Sequence, residues 1–217
     1  MHIDRSSSSE MFHIDIFQIG AHIGNSHNDP IYNTDLQDKS LVLIEPVPFI
    51  FKLLKYNYAL KHPRQVQFLN YAVSVYDGEI EMIAPAEDND YKETPCFLNQ
   101  MASVTDKYIK HWQFDRRFPD FKFEKIKVEC KRFNTIIKDL NITSIDHLYI
   151  DTEGHDYNIL IDIDFNILKP NTITFENQYI DGIAGKGVKY YDLLKTLKSF
   201  GYRVVEEDDE DTTVSLY

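Results

Sequence analysis

The chain predicts a doubly wound, mostly parallel α/β sheet closed by a C-terminal antiparallel hairpin. Three observations point to that class. Short apolar runs alternate with stretches of helical spacing along most of the 217 residues. Three of the runs end on an acid, at Glu45, Asp151 and Glu176, and ligands of such sheets sit beyond the carboxyl ends of the strands. The chain then closes on two β-rich runs separated by six consecutive acids, residues 206–211.

Residues 1–10, with four serines in a row at 6–9, read as a loose tail, which leaves 11–217 as one domain. Residues 14–19 form the first expected strand, followed by a turn over 20–25. A helix is expected from about Asp29, with Pro30 at its first position. Residues 41–44 make a short buried strand ending at Glu45. Residues 46–58 follow with helical spacing that puts Phe49, Leu53 and Leu54 on one face.

A third strand is expected over 66–73 and a fourth over 79–83, after an Asp77-Gly78 turn. Residues 84–95 are polar and read as loop, and 96–117 read as either a lid or a short helix. Residues 126–130 alternate weakly, as an edge strand does, and 133–140 are helical. Two buried strands, 147–150 and 172–175, deliver Asp151 and Glu176, and an amphipathic helix over 190–200 stops at Gly201. Residues 202–205 and 213–216 are the arms of the terminal hairpin, with 206–211 as its solvated acidic turn.

Composition narrows the function classes. The formal charge is -12, from 35 acids against 23 bases, so the chain has no generic attraction for phosphate backbones or anionic membranes. Nucleic acid is thereby disfavoured as a partner. No apolar run is long enough to span a membrane, and no apolar signal core opens the chain. Cys96 and Cys130 have no metal-ligand spacing and read as reduced thiols. A cytoplasmic protein is the expectation, with its oligomeric state left open.

The turn after the first strand reads Phe17-Gln18-Ile19-Gly20-Ala21-His22-Ile23-Gly24-Asn25. Glycine at a strand-to-helix turn lets a ligand approach the backbone. Glu45, at the end of the second strand, is placed to accept hydrogen bonds from ribose hydroxyls. A dinucleotide turn needs the denser G-x-G-x-x-G run to bring pyrophosphate to a helix N-terminus. Gly20-x-x-x-Gly24 lacks that run and suits S-adenosylmethionine (SAM), which carries no phosphate, better than a nicotinamide dinucleotide.

Four ordered segments resemble the FkbM family of methyltransferases. The first turn is similar to its D-I-G-A-N-x-G element, and Glu45-Pro46-Val47-Pro48 to its E-P-x-P element. Asn70-Tyr71-Ala72-Val73-Ser74 resembles its A-V-S segment, and Ile150-Asp151-Thr152-Glu153-Gly154-His155-Asp156 its I-D-x-E-G-x-E element. The resemblance implies a Rossmann-like class I methyltransferase fold and methyl transfer from SAM, commonly to oxygen of a small molecule or glycan. It also implies that Gln18, Gly20, His22, Gly24 and Asn25 line the methionine end of SAM. Glu45 and Pro46 would then hold the ribose, Tyr71 and Ala72 would border the adenine, and Asp151 would lie beside the cofactor. Gln18 and His22 stand where the family often has Asp and Asn.

Catalytic candidates come from the two acidic strand ends. Asp151, Glu153, His155 and Glu176 are expected to converge near the transferred methyl group, with His155 or Asp151 as the base for a hydroxyl acceptor. An alternative gives His155 a capping or packing role. A second alternative uses Asp151, Glu176 and Asn177 as oxygen ligands of Mg²⁺, similar to catechol-type O-methyltransferases. His22 and His27 lie near the first turn, whereas His13, His62, His111 and His147 stand alone and read as surface or core groups. Residues 108–123, with Trp112, Phe114 and Phe118, are a candidate cover, and the glycine-bearing loop 179–189 a candidate specificity loop. Competing readings are a nicotinamide-dependent oxidoreductase, a non-catalytic SAM- or nucleotide-binding module, and a nucleic-acid methyltransferase.

Overall fold

A computed structural model of the chain describes residues 12–26, 29–92, 96–182 and 185–217. Tail 1–10 and His27 lie outside the described residues. In chain order the first elements are β1 (Phe12–Ile19), β2 (Ser40–Ile44), α1 (Pro48–Tyr58), β3 (Gln65–Leu69), β4 (Ala72–Val73) and β5 (Gly78–Pro85). A 3-10 turn (Cys96–Gln100) and two short helices, α2 (Lys107–His111) and α3 (Phe114–Arg117), lead to β6 (Phe123–Lys131). Then follow α4 (Phe133–Asp139), β7 (Ile142–Ile150), α5 (Asp156–Asp162), β8 (Thr172–Glu176), α6 (Val188–Ser199), β9 (Tyr202–Glu207) and β10 (Asp211–Leu216).

The main sheet of the described residues has seven strands in the order β3-β2-β1-β7-β8-β10-β9. β3, β2, β1, β7 and β8 run parallel, and the β9–β10 hairpin adds antiparallel against β8. The order reverses at β1, whose neighbours are β2 on one side and β7 on the other. A crevice opens above the carboxyl ends at such a point.

β2 shows why the sheet is covered on both faces, since all five of its residues are buried. Val42 and Ile44 join Phe17, Ile19, Leu148 and Ile150 under α4, α5 and α6, which contribute Ile136, Ile159 and Leu193. Leu41 and Leu43 point the other way, into a cluster with Leu54 and Tyr58 of α1. Gly24 belongs to this second cluster. A Cβ there would lie 2.4 Å from the Tyr58 ring and 2.9 Å from Leu54, so its lack of a side chain serves the packing of α1.

Four expectations are corrected. The stretch 66–73 is two strands in two sheets, because Asn70 interrupts it. The Asn70 amide donates to the carbonyls of Glu45 (2.8 Å) and Pro46 (3.0 Å), and the chain then joins a second sheet, ordered β4-β6-β5. The expected edge strand, β6, is the centre of that second sheet, paired with β5 over eight residues and with β4 at Ala72 and Val73. Alternation reports which face of a strand is buried, and does not tell an edge from a centre.

No helix starts at Asp29. Its Oδ1 accepts from the backbone N–H groups of Ile31 (2.9 Å) and Tyr32 (2.6 Å), which closes a side-chain turn in place of a helical one. The acidic run is exposed as expected, but only its middle is turn. Glu206 and Glu207 end β9, Asp211 opens β10, and Asp208 Oδ1 accepts from the N–H groups of Glu210 and Asp211 across the tight turn between them. Among the described residues no helix is long and apolar enough to cross a membrane.

Candidate active site

A cavity of about 500 Å³ lies beyond the carboxyl ends of β1, β2, β7 and β8, a size that suits a cofactor with a small substrate. Gly20 shapes its floor. At φ +82° the residue holds a conformation that side chains rarely adopt, and a Cβ would fall 1.8 Å from the Asp151 carbonyl oxygen. The turn can therefore press against the end of β7. It is tied there by the Asp151 N–H to the Ile19 carbonyl (3.0 Å), and to β2 by the N–H groups of Gly20 and Ala21 to the Ile44 carbonyl.

Glu45 is buried beside this turn. Its two oxygens accept from the N–H groups of His22 (3.0 Å) and Val47 (2.8 Å), and lone pairs remain for hydroxyl donors in the cavity. Burial pushes its carboxyl up to about 7. Gln18 is also buried in the wall. Its Nε2 donates to Asp29 (3.1 Å), and its Oε1 has no partner among the described residues. Tyr71, Ala72, Ile50 and Met82 supply an apolar flank.

The other half of the cavity is acidic. Asp151 faces the open space, and Glu153, Glu176, Glu210 and Asp211 stand around it. Burial first, and then the charge of Asp151, holds Glu153 and Glu176 well above the ordinary carboxylate range. Asp151 itself is raised by burial and then by Asp211, and burial lifts Asp211 to about 6. Glu176 Oε1 accepts from Gln178 (2.8 Å), and its buried Oε2 has no partner among the described residues. Together with Asp29 and Glu45, seven described carboxylates line the cavity, and no described Lys or Arg does.

His155 lines the cavity, but its ring is committed. Nδ1 lies 3.2 Å from the Asn158 amide nitrogen, and Nε2 lies 3.2 Å from Ser74 Oγ. The tautomer that fits both contacts has Nδ1 accepting and Nε2–H donating, as inferred from the network. Burial lowers its pKa, which favours the neutral ring. The residue precedes α5 and makes no side-chain cap bond to it. His22 is committed too, with Nε2 3.1 Å from the Asn99 carbonyl and its pKa held down to about 4 by burial. It ties the first turn to the segment that covers the cavity.

Asp156 is the pin beneath the acidic half. Its Oδ2 accepts from the Thr152 hydroxyl (2.6 Å) and backbone N–H (3.3 Å), and its Oδ1 accepts from the Glu176 N–H (3.3 Å). It thereby sets the end of β8 against the loop after β7. Asp156→Ala is expected to cost about 2–4 kcal/mol, because buried donors lose their acceptor. Urea unfolding measures it, and a loss below about 1 kcal/mol would remove Asp156 from this role.

Most of the expected site residues come together: Gln18, Gly20, His22, Glu45, Pro46, Tyr71, Ala72, Asp151, Glu153, His155 and Glu176 all line the cavity. Gly24 and Asn25 do not. Gly24 packs on α1, and Asn25 accepts from the Asn57 amide (2.8 Å) at the surface. Asn177 also stands outside the wall, buried, with its amide donating to Thr212 Oγ1 (3.0 Å) and the Asp208 carbonyl (3.2 Å). The trio of Asp151, Glu176 and Asn177 is therefore not brought together on the cavity wall. Counting His, Cys, Asp and Glu alone among the described residues, only His13, Asp15 and Asp146 bring three ligand atoms within 4.8 Å of one another, at the amino end of β1.

Sequence reasoning missed Asp29, Glu210 and Asp211. The last two were legible only as a charge run, and it is the pairing of β10 with β8 that sets Asp211 opposite Glu176. Of the candidate cover 108–123, Trp112 and Phe114 line the cavity and Phe118 does not, while Phe97 joins them from the 3-10 turn. Loop 179–189 contributes Tyr179, whereas Asp181 instead accepts from the N–H groups of Gly187, Lys189 and Tyr190 at the start of α6.

Comparison with solved structures finds low-identity likenesses. A methyltransferase FkbM from Methylobacillus flagellatus is 14% identical, with a TM-score of 0.48 over 99% of this chain and 47% of that one. A fibrillarin pre-rRNA processing protein of Methanococcus jannaschii is 13% identical (TM-score 0.47, 95% of this chain, 67% of that one). An Aeropyrum pernix fibrillarin holding natively bound S-adenosyl-L-methionine is 12% identical (TM-score 0.46, 93% and 65%). The chain thus spans about half to two thirds of the length of these structures. No curated protein matches it in sequence. The family model described as the methyltransferase FkbM domain matches residues 18–204, nearly the whole of the described fold, and the chain belongs to that family.

Proposed function

We propose that the protein transfers a methyl group from SAM to a hydroxyl of a small molecule or glycan. The observation that carries this reading is the cavity wall, with seven described carboxylates and no described Lys or Arg. Such a wall attracts a cofactor bearing sulfonium and ammonium charges and repels the pyrophosphate of a nicotinamide dinucleotide. Glu45 and Gln18 supply what SAM needs on the β1–β2 side. The lone pairs of Glu45 receive ribose hydroxyls, Gln18 Oε1 accepts from the ammonium group, and the flank of Tyr71, Ala72 and Met82 takes the adenine.

SAM, when bound, supplies an electrophilic methyl group on a positively charged sulfur. The chain's own task is to orient the acceptor and take its proton. Asp151 is the base in this reading. It faces the cavity from the centre of the acidic group, and burial first, then neighbouring carboxylates, raise its proton affinity toward what a base needs near neutral pH. Glu153 and Glu176 support it electrostatically. His155 has both ring nitrogens engaged and serves as a packing residue. A single domain over 11–217 and a cytoplasmic location belong to the same proposal.

Calorimetry with S-adenosylhomocysteine (SAH) and transfer of labelled methyl from SAM test this. SAH is expected to bind the wild type, and Asp151→Asn to lower turnover about 10²–10³-fold with SAH affinity retained. His155→Ala should leave the shape of the pH profile unchanged. A folded protein that ignores SAH but binds NADH would overturn the reading, and a pH profile reshaped by His155→Ala would return the base to the histidine.

A further inference from the structure

We propose that the acceptor of this site carries a protonated amine, held between the carboxylates at the ends of β8 and β10 and the aromatic side chains of the cover. The inference rests on the methyl-transfer reading and narrows its substrate class. Glu45 and Asp29 stand on the β1–β2 side, where the cofactor is assigned, and SAM brings only a net single positive charge. Glu176 and Asp211 remain on the opposite side. The antiparallel register pairs these two residues directly, which puts both side chains on one face of the sheet edge.

Two independent features mark this corner as a receptor, although Asp211 itself is exposed. Glu176 is only 7% exposed, lines the cavity, and keeps its Oε2 without a partner among the described residues. A buried carboxylate oxygen left in that state calls for a donor from a ligand. Trp112 and Phe114 line the same cavity, and a cation placed against aromatic faces is attracted to them. No described Lys or Arg in the wall offers these acids a counter-charge.

Two matched sets of probes separate charge from scaffold: tyramine, tyrosol and 4-hydroxyphenylacetate, and glucosamine, glucose and glucuronate. Binding is read by calorimetry on the full chain, with and without SAH. In at least one set the amine is expected to bind on the order of tenfold more tightly than the neutral probe, with the acid weakest. Glu176→Gln and Asp211→Asn should each flatten that order, with a cooperative urea transition like that of the wild type showing that the variants fold. No amine binding at millimolar concentration, a flat or inverted order, or a preference that survives both substitutions would overturn the proposal. Loss of SAH binding by the wild type would instead sink the methyl-transfer reading, since the charge order is also measured without SAH.

Discussion

Replacing Gly20 with alanine should both destabilise the protein and abolish SAH binding. The added Cβ would sit 1.8 Å from the Asp151 carbonyl oxygen, a backbone atom held by the β1–β7 pairing, so no side-chain rotation relieves the clash. The conformation at φ +82° adds strain for any residue with a Cβ. Relief requires the first turn to lift away from β7. That movement breaks the bonds from Gly20 and Ala21 to Ile44 and shifts the His22 N–H that Glu45 accepts. The expected cost is about 3–5 kcal/mol in urea unfolding, with SAH binding below detection. Gly185→Ala is the control, because a Cβ there meets nothing within 4 Å, and its stability should stay within about 1 kcal/mol of wild type. A Gly20→Ala protein with normal stability and SAH affinity would show that the turn does not press on β7 as described.

Without ligand, the stability contributed by Glu45 should fall as pH rises, the reverse of the usual carboxylate effect. Burial raises its folded value from 4.5 to about 7, so within that window the folded state holds a proton that the unfolded state has lost. Stability falls with pH wherever the folded state binds more protons, so the loss accumulates from about pH 4.5 and is complete above about pH 7. Relative to Glu45→Gln, which cannot titrate, the wild type is expected to lose on the order of 2 kcal/mol between about pH 5 and pH 8. Urea unfolding at several pH values reads the difference. Saturating SAH should shrink it, because a ribose donating to the carboxylate favours the charged form. A parallel pH dependence of wild type and variant would mean that Glu45 is not held in a desolvated state.

Much of this architecture was legible because it is local. Apolar runs ending on Glu45, Asp151 and Glu176 mark strands whose carboxyl ends form one edge, and the glycine after β1 marks a backbone that something approaches closely. The terminal hairpin was readable from two β-rich arms around acids. Legibility ended where pairing partners decide the outcome. Residues 66–73 keep one apolar pattern across two sheets, and only the Asn70 amide, reaching the carbonyls of Glu45 and Pro46, divides them.

The sequence by itself determined an α/β domain with its chemistry at the strand ends, because period, turn residues and strand-end acids are written in near neighbours. Tertiary structure alone decided which of those groups face the cavity. Gly24 turned out to pack a helix and Asn177 to bond Thr212 and Asp208, while Asp211, from a run that looked like plain solvated charge, stands beside Glu176. The same long-range contacts set His155 between Ser74 and Asn158. Such assignments depend on register between segments far apart in the chain, and register is fixed by the joint burial of both partners, which no single stretch of sequence encodes.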